Sequence, residues 1–442
     1  MHPNILFITI DNIRADKFNE SSSTYIPNLN SLSQNGVFFS QAISGSDNTI
    51  ISLSNIFTGN YSTKTGIKTY NFSKNVPTFF NDLKNYGYHT FCCLPDLKFL
   101  QQIASNFDDS IIYPYVDRYS YAGLFGGIGD KIIKKLKTNT KEPWIFYTHL
   151  MDAKPPAQIP EEFDKTQYGK MKSDRILSAI DLWIGKIVNQ LDLTKTLVII
   201  SSDHGNFIPI DDKGLNTMPK NLQKMLNITK KLSFVRNNGT MLILLLRKIV
   251  HFFKKRKLKD LDKYETRSFK TRTKTELFDE LIRIPLIFSG FGIKSNDVSS
   301  LVRHVDIFPT IFDIIGIPLK NKYHGRSLLP LIKGNKIEEI PAFIENAVVI
   351  ENDGKIKGDG NQMLKKEVNF IGIRTSRWKY QRPGHKNDLI SLYDLKNDPK
   401  ELENLAASLP EKVLEMEKAL KKILDDTYEK DRIRSILNKN FF

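Results

Sequence analysis

Five short apolar segments constrain the fold of this chain more than any other feature. Asn4 to Ile10, His89 to Leu94, Trp144 to His149, Thr196 to Ser202 and Ile284 to Phe288 are rich in β-branched and aromatic residues, which predicts strands. Between them, Thr78 to Tyr86 and Arg175 to Leu191 carry apolar residues at helical spacing. That alternation predicts an α/β fold: a mostly parallel sheet with helices on both faces. Such sheets bind ligands beyond the carboxyl ends of their strands. Two polar clusters fall there, Asp11 with Asn12 after the first segment and Asp203 with His204 after the fourth.

The 442 residues suffice for one large domain with a subdomain. Hydrophobic residues at 40% and charged residues at 26% are ordinary for a globular chain, and no apolar run is long enough to cross a bilayer. Cys92 and Cys93 are adjacent, which gives neither a disulfide framework nor a thiolate metal site. The sequence enters its first strand at Asn4 without a leader pattern, so the expected location is cytoplasmic or peripheral on the cytoplasmic membrane face. Lys and Arg outnumber Asp and Glu by 65 to 49, a net charge of +16, which favours anionic substrates, polyanions or an anionic membrane surface. No nucleic-acid motif accompanies that charge, and specific nucleic-acid binding is not expected.

Two stretches interrupt the pattern. Residues 206–274 are expected to be an insertion, in which an apolar run from Met241 to Phe253 precedes a basic run from Lys254 to Lys263. Two readings fit it: a segment lying in a membrane interface, or an ordinary helix packed over the site. Beyond 330 come strand-like Phe370 to Thr375, Trp378 to Arg382 and Leu389 to Tyr393, then a Lys- and Glu-rich helix from Pro410 to about Leu437. The expected organisation is a catalytic domain over 1–330, carrying that insertion, and a smaller α+β subdomain over 331–442.

Hard divalent cations take anionic oxygen and sometimes imidazole, and strand ends present both rigidly. Asp11, Asp203 and His204 are therefore candidate ligands. Asp11 capping a helix, or Asp203 closing a turn with Gly205, explains either acid singly; two such clusters in one α/β chain favour the metal. At Thr49 a hydroxyl opens an apolar helical pattern that ends at Gly59. A nucleophile beside the free N–H groups of a helix start and a plain N-cap explain Thr49 equally well.

Nine blocks in order resemble the sulfatase-like branch of the alkaline phosphatase superfamily. They include Asn4-Ile-Leu-Phe-Ile-Thr-Ile-Asp11-Asn12, Ser54-Asn-Ile-Phe-Thr-Gly59, Ser201-Ser-Asp203-His204-Gly205, Leu277-Phe-Asp-Glu-Leu-Ile-Arg283, His304-Val-Asp306, Arg374-Thr-Ser-Arg-Trp-Lys379 and Leu392-Tyr-Asp-Leu. The resemblance implies an alkaline-phosphatase-like fold and one divalent cation, manganese, magnesium, calcium or zinc, on Asp11, Asn12, Asp203 and His204. It also implies Lys274 on the substrate's non-bridging oxygens, and Ser52 and Lys154 on the anionic ester itself.

Departures from the pattern bear on the substrate. True sulfatases resemble Cys-x-Pro-Ser-Arg where this chain has Thr49-Ile-Ile-Ser52-Leu53, so no formylglycine is expected. The family's Gly-Lys-x-His falls on Leu94, Pro95, Asp96 and Leu97, and Lys154 replaces a frequent His. A Thr nucleophile is similar to the branch that acts on phosphodiesters and phosphonates or transfers phosphoalcohol groups. The expected function is thus metal-dependent hydrolysis or transfer of phosphate or sulfate esters through Thr49. Two alternatives are a strict sulfuric ester hydrolase and a catalytically silent binding protein. His149 is read as a general acid, a holder of the leaving group or a structural histidine, and His385 as a weaker candidate.

Overall fold

The computed structural model describes residues 2–18, 22–67, 76–114, 123–138, 141–154, 158–207, 263–267, 276–349, 367–384 and 389–439. The chain forms two compact units, Met1–Asn206 with Thr275–Phe442, and Phe207–Lys274. Of the second unit, the short helix Lys263–Arg267 is described. The apolar and basic residues 241–257 lie outside the described residues, as do Lys274 and His385. Among the described residues, no helix is long and apolar enough to cross a membrane.

The first unit is built on a nine-stranded sheet of β1 (Asn4–Ile10), β2 (Gly36–Ile43), β3 (His89–Pro95), β4 (Asp109–Tyr113), β5 (Trp144–Leu150), β6 (Thr196–Ser202), β7 (Arg283–Ile284), β8 (Leu286–Gly290) and β9 (Asn296–Arg303). The order is β4-β3-β5-β1-β6-β8-β2-β7, with β9 also beside β2. From β4 through to β6 all neighbours are parallel, whereas β8 runs antiparallel to β6 and β2. The stretch from Ile284 to Phe288 forms two strands instead of the single one expected. Pro285 has no N–H to give to a ladder, so β7 ends there against Ala42 and Ile43, and β8 restarts between β6 and β2.

Alternation along the central strands feeds two cores. Ile5 and Phe7 of β1 face the helices Thr49–Thr58 (α2), Phe79–Asn85 (α3), Lys98–Ala104 (α4) and His304–Ile314 (α7). Leu6, Ile8 and Ile10 face Pro27–Gln34 (α1), Ile128–Thr138 (α5) and Lys172–Val188 (α6). In α6 the buried Ile176, Ile180, Ile184 and Ile187 form one helical stripe, which is why that segment is a helix lying on the sheet.

A second sheet follows, antiparallel β10 (Ala342–Val349), β11 (Glu367–Arg374), β12 (Trp378–Pro383) and β13 (Ser391–Asp394). The closing helix α8 (Pro410–Lys439) lays Met416 and Leu420 on Phe343, Ile373, Tyr380 and Leu392 of that sheet. Its Glu417 accepts hydrogen bonds from Tyr380 Oη at 2.7 Å and from Arg382 Nε at 2.9 Å.

The two sheets are joined by a buried charge cluster. Lys379 of β12 is fully buried, with Nζ 2.7 Å from Asp279 Oδ1 and 2.6 Å from Glu401 Oε1. Arg374 of β11 reaches Asp279 Oδ2 at 3.0 Å and Gln41 of β2 at 2.6 Å. Burial raises the Glu401 carboxyl to about 7, against the pull of Lys379. Removing Lys379 leaves Asp279 with Arg374 but strands the buried Glu401 without that counter-charge. Lys379→Met should therefore destabilise the fold by about 3–5 kcal/mol, seen as a lower urea midpoint. The deficit should shrink as the pH falls from about 8 to 6, where a stranded Glu401 can take a proton. An unchanged midpoint would contradict this role.

Candidate active site

The alternation of β1, β5 and β6 turns polar at their carboxyl ends. On the face covered by α2, β1 runs Ile5, Phe7, Thr9 and on to Asp11; β5 runs Ile145, Tyr147, His149; β6 runs Leu197, Ile199, Ser201 and on to Asp203. Parallel register sets Thr9 beside His149 on one side and Ser201 on the other, so the three polar stripes converge. Asp11, His149 and Asp203 are all fully buried there. One ligand atom from each lies within 4.8 Å of the other two. Asp11 Oδ1, His149 Nε2 and Asp203 Oδ2 have no hydrogen-bond partner among the described residues.

Neither acid has the purely local role that would explain it alone. Asp11 caps no helix: its Oδ2 accepts from Lys154 Nζ at 3.1 Å. Asp203 Oδ1 accepts from the N–H of His204 at 2.8 Å and of Asn12 at 3.3 Å, which leaves Oδ2 facing the cluster. Asn12 has φ of 66°, a left-handed conformation that Asn tolerates better than most residues, and this turn aims its N–H at Asp203. Ser202 supports both turns, accepting from Ile13 N at 3.0 Å while its hydroxyl lies 2.6 Å from the Ile10 carbonyl and 2.7 Å from that of His204.

Thr49 is the first residue of α2, and its neighbour Asn48 is the cap. Asn48 Oδ1 accepts from Ile50 N at 3.0 Å and Ile51 N at 3.4 Å, and the helix ends at Gly59 with φ of 61°. The Thr49 hydroxyl is thereby relieved of capping and lies 3.2 Å from His204 Nε2. The other ring nitrogen of His204 is 2.8 Å from the Gly205 carbonyl, to which it donates, and Nε2 stands 3.4 Å from Asp203 Oδ2 and 3.9 Å from Asp11 Oδ1. Thr49, Lys154, Asp11, Asn12, Asp203, His204 and His149 are thus one constellation. Ser52 has a different place: fully buried, its hydroxyl donates to the Ser46 carbonyl at 2.9 Å and meets Ser44 Oγ at 2.8 Å. It braces the loop before Thr49 and is closed off from a substrate.

Electrostatics sort the imidazoles. Burial pushes His149 down to about 4, which favours its neutral form at ordinary pH and, of its three readings, speaks for a structural or holding role over that of a general acid. Burial also pulls on His204, but the Asp203 and Asp11 carboxylates outweigh it and its pKa is raised. Burial and the Asp203 charge raise Asp11, while Lys154 opposes them. Two buried carboxylates with unpaired oxygens are costly unless a positive charge sits between them. The oxygen and imidazole donors facing each other suit a divalent cation.

The sequence model of the sulfatase family matches residues 3–317, so the chain belongs to that family. A model described as N-sulphoglucosamine sulphohydrolase, C-terminal, matches residues 267–430. Arylsulfatase K of Bos taurus is 31% identical over 161 residues, which is 34% of this chain and 27% of that protein. The chain therefore spans about a quarter of the length of the curated relative it matches. Among solved structures, the phosphonate monoester hydrolase of Agrobacterium radiobacter superimposes with a TM-score of 0.67 at 17% identity over 96% of each chain. A structure in complex with its substrate D-glucosamine-2-N,6-O-disulfate does so at 0.64 and 16%, over 97% of this chain and 99% of that one. At such identities the likeness shows the shared alkaline-phosphatase-like fold. Sulfatases generally bind a divalent metal, and the Asp11, His149 and Asp203 cluster is where one would fit.

Because the His204 pKa is raised, a proton would compete with a cation held at Nε2. Manganese affinity should rise with pH from about 6 to 8, and calorimetry in buffers of different ionisation enthalpy should show proton release. In the cation-free protein the sign reverses: His204 contributes stability below its unfolded value and loses it as pH rises through its raised one. Uptake independent of pH and buffer would contradict the His204 assignment.

Proposed function

We propose that this chain is a metal-dependent sulfatase-family hydrolase or transferase that acts on phosphodiester, phosphonate or sulfate esters through Thr49. The observation that carries the proposal is the Thr49 hydroxyl at a helix start, released from capping by Asn48 and 3.2 Å from His204 beside two buried carboxylates. Asp11, Asp203 and His204, with Asn12 beside them, hold one divalent cation. When bound, that cation makes a threonine oxygen acidic enough to attack near neutral pH and offsets charge on the ester oxygens.

The chain's own residues do the rest. Thr49 Oγ1 forms the new bond to phosphorus or sulfur, and the ester oxygen departs with the electrons of the broken bond. Lys154, held over Asp11, presents its ammonium group to the non-bridging oxygens or to the leaving oxygen. Asn48 takes the N–H groups of Ile50 and Ile51, so the start of α2 favours the anion beside Thr49 through the positive end of its dipole. Water or an acceptor alcohol then takes the group from Thr49.

The nucleophile favours phosphorus over sulfur. A formylglycine hydrate carries two hydroxyls on one carbon, so its ester can collapse by expelling the sulfate. Threonine has one, and its ester must be opened by a second attack at the central atom.

Thr49→Ala should lower turnover of a chromogenic phosphodiester by at least about a thousandfold while cation binding persists. Mass spectrometry of quenched wild-type turnover should find the group on the peptide containing Thr49. Retained hydrolysis by the Ala variant would refute the nucleophile. A higher turnover of aryl sulfates than of phosphate and phosphonate esters would move the reading to sulfuric ester hydrolysis.

A further inference from the structure

One buried imidazole has no part in the chemistry just described. His149 is fully buried, and its Nδ1 lies 2.8 Å from Thr9 Oγ1. Thr9 Oγ1 in turn lies 2.7 Å from the Tyr147 hydroxyl and 3.4 Å from the Thr148 carbonyl. Thr9 and Tyr147 are likewise fully buried, so this is a chain of three side chains sealed inside the sheet. It is built into the strand pairing, because register places Thr9 of β1 beside His149 of β5.

The far nitrogen of that ring is unsatisfied in either tautomer. If Nδ1 accepted from Thr9, Nε2 would carry a proton toward two carboxylate oxygens and bond to neither. A buried donor left so costs about 1–3 kcal/mol. If Nδ1 donates to Thr9 Oγ1, Nε2 instead turns a lone pair on Asp11 Oδ1 and Asp203 Oδ2, which also lack hydrogen-bond partners among the described residues. Three electron-rich atoms within one 4.8 Å cluster repel one another unless something positive lies among them. The second tautomer is stable with a cation and unstable without one.

We propose that His149 Nε2 is an additional ligand of the cation, approaching from the sheet side, and that the Thr9 and Tyr147 hydroxyls are the positioning groups that fix its tautomer. The proposal rests on the cation reading above and sharpens it. Thr9 accepts the Nδ1 proton and passes its own to the Tyr147 hydroxyl or the Thr148 carbonyl, which locks the Nε2 lone pair on the cluster. With His204 it makes two imidazoles and two carboxylates. That donor set selects a cation that accepts nitrogen, Mn²⁺ or Zn²⁺, over Ca²⁺, which prefers oxygen throughout.

Pulsed electron paramagnetic resonance of the wild-type protein loaded with Mn²⁺ tests this without altering the fold. Two distinct imidazole nitrogen couplings are expected, and His149→Gln should remove one while His204→Gln removes the other. Calorimetric titration with Mn²⁺ should show Thr9→Val weakening binding by about 10–100-fold, and the thermal midpoint in chelator, lowered by the hydrogen bonds that Tyr147 and His149 lose, separates that loss from the stability cost. A wild-type protein that binds Mn²⁺ with one nitrogen coupling, or whose affinity is unmoved by Thr9→Val, overturns the His149 assignment and leaves the cation reading intact. A wild-type protein that binds no Mn²⁺ overturns both. Ca²⁺ bound more tightly than Mn²⁺ contradicts the two-imidazole site.

Discussion

Two carboxylates that share one buried corner set the terms for the rest of this structure. Asp11 and Asp203 sit at the ends of adjacent strands with no accessible surface, and each keeps an oxygen free of hydrogen bonds among the described residues. Burial, and after it the Asp203 charge, raises the pKa of Asp11, so keeping both acids ionised there works against folding. The sheet supplies the opposing force. β1, β5 and β6 are apolar on both faces, and the two cores on either side fix their register before the polar ends are reached. The corner is thus paid for by the sheet below it and by the positive groups beside it, Lys154 and His204. A charge of plus two placed there would relieve both carboxylates, while it would take the place of the His204 proton and repel the Lys154 ammonium.

The same corner is where the helix that begins at Thr49 is held by its packing. Leu53, Ile56 and Phe57 of α2 belong to the core on the polar-stripe side of the sheet, with Phe57 edge-on to Tyr147 at 5.0 Å. That packing drapes the helix over β5 and brings its first residue to the strand ends. Beneath the loop, Ser44 donates to the Asp203 carbonyl at 2.8 Å and its Oγ lies 2.8 Å from Ser52 Oγ, so the loop before Thr49 is tied to the turn at Asp203. The placement of Thr49 beside His204 is a consequence of core packing and of a few buried hydroxyls that tie loops together.

Much of this was legible in the sequence because the informative strands are buried on both faces. Continuous apolar runs marked β1, β3, β5 and β6, and the polar residues after them marked Asp11, Asp203 and His204. What the sequence hid depends on neighbours distant in the chain. β2 and β9 mix buried with half-exposed residues, since they lie toward the edge, and give no clean apolar run. The direction of β8 is a matter of pairing, which composition does not encode. His149 stood open between a reactive and a structural histidine, and it is the register with Thr9 that places its Nδ1 beside that hydroxyl. Thr49 looked equally like a cap until Asn48 took that place, although an Asn just ahead of a hydroxyl at a helix start was a usable clue.

The central claim is that one cation unites the ends of β1, β5 and β6 with the first residue of α2. Anomalous diffraction from crystals grown with Mn²⁺ tests it most directly. A single strong peak is predicted among Asp11, His149, Asp203 and His204, within reach of the Thr49 hydroxyl. A peak elsewhere, or a cluster whose Asp11 and Asp203 oxygens turn away from the ion, would contradict it.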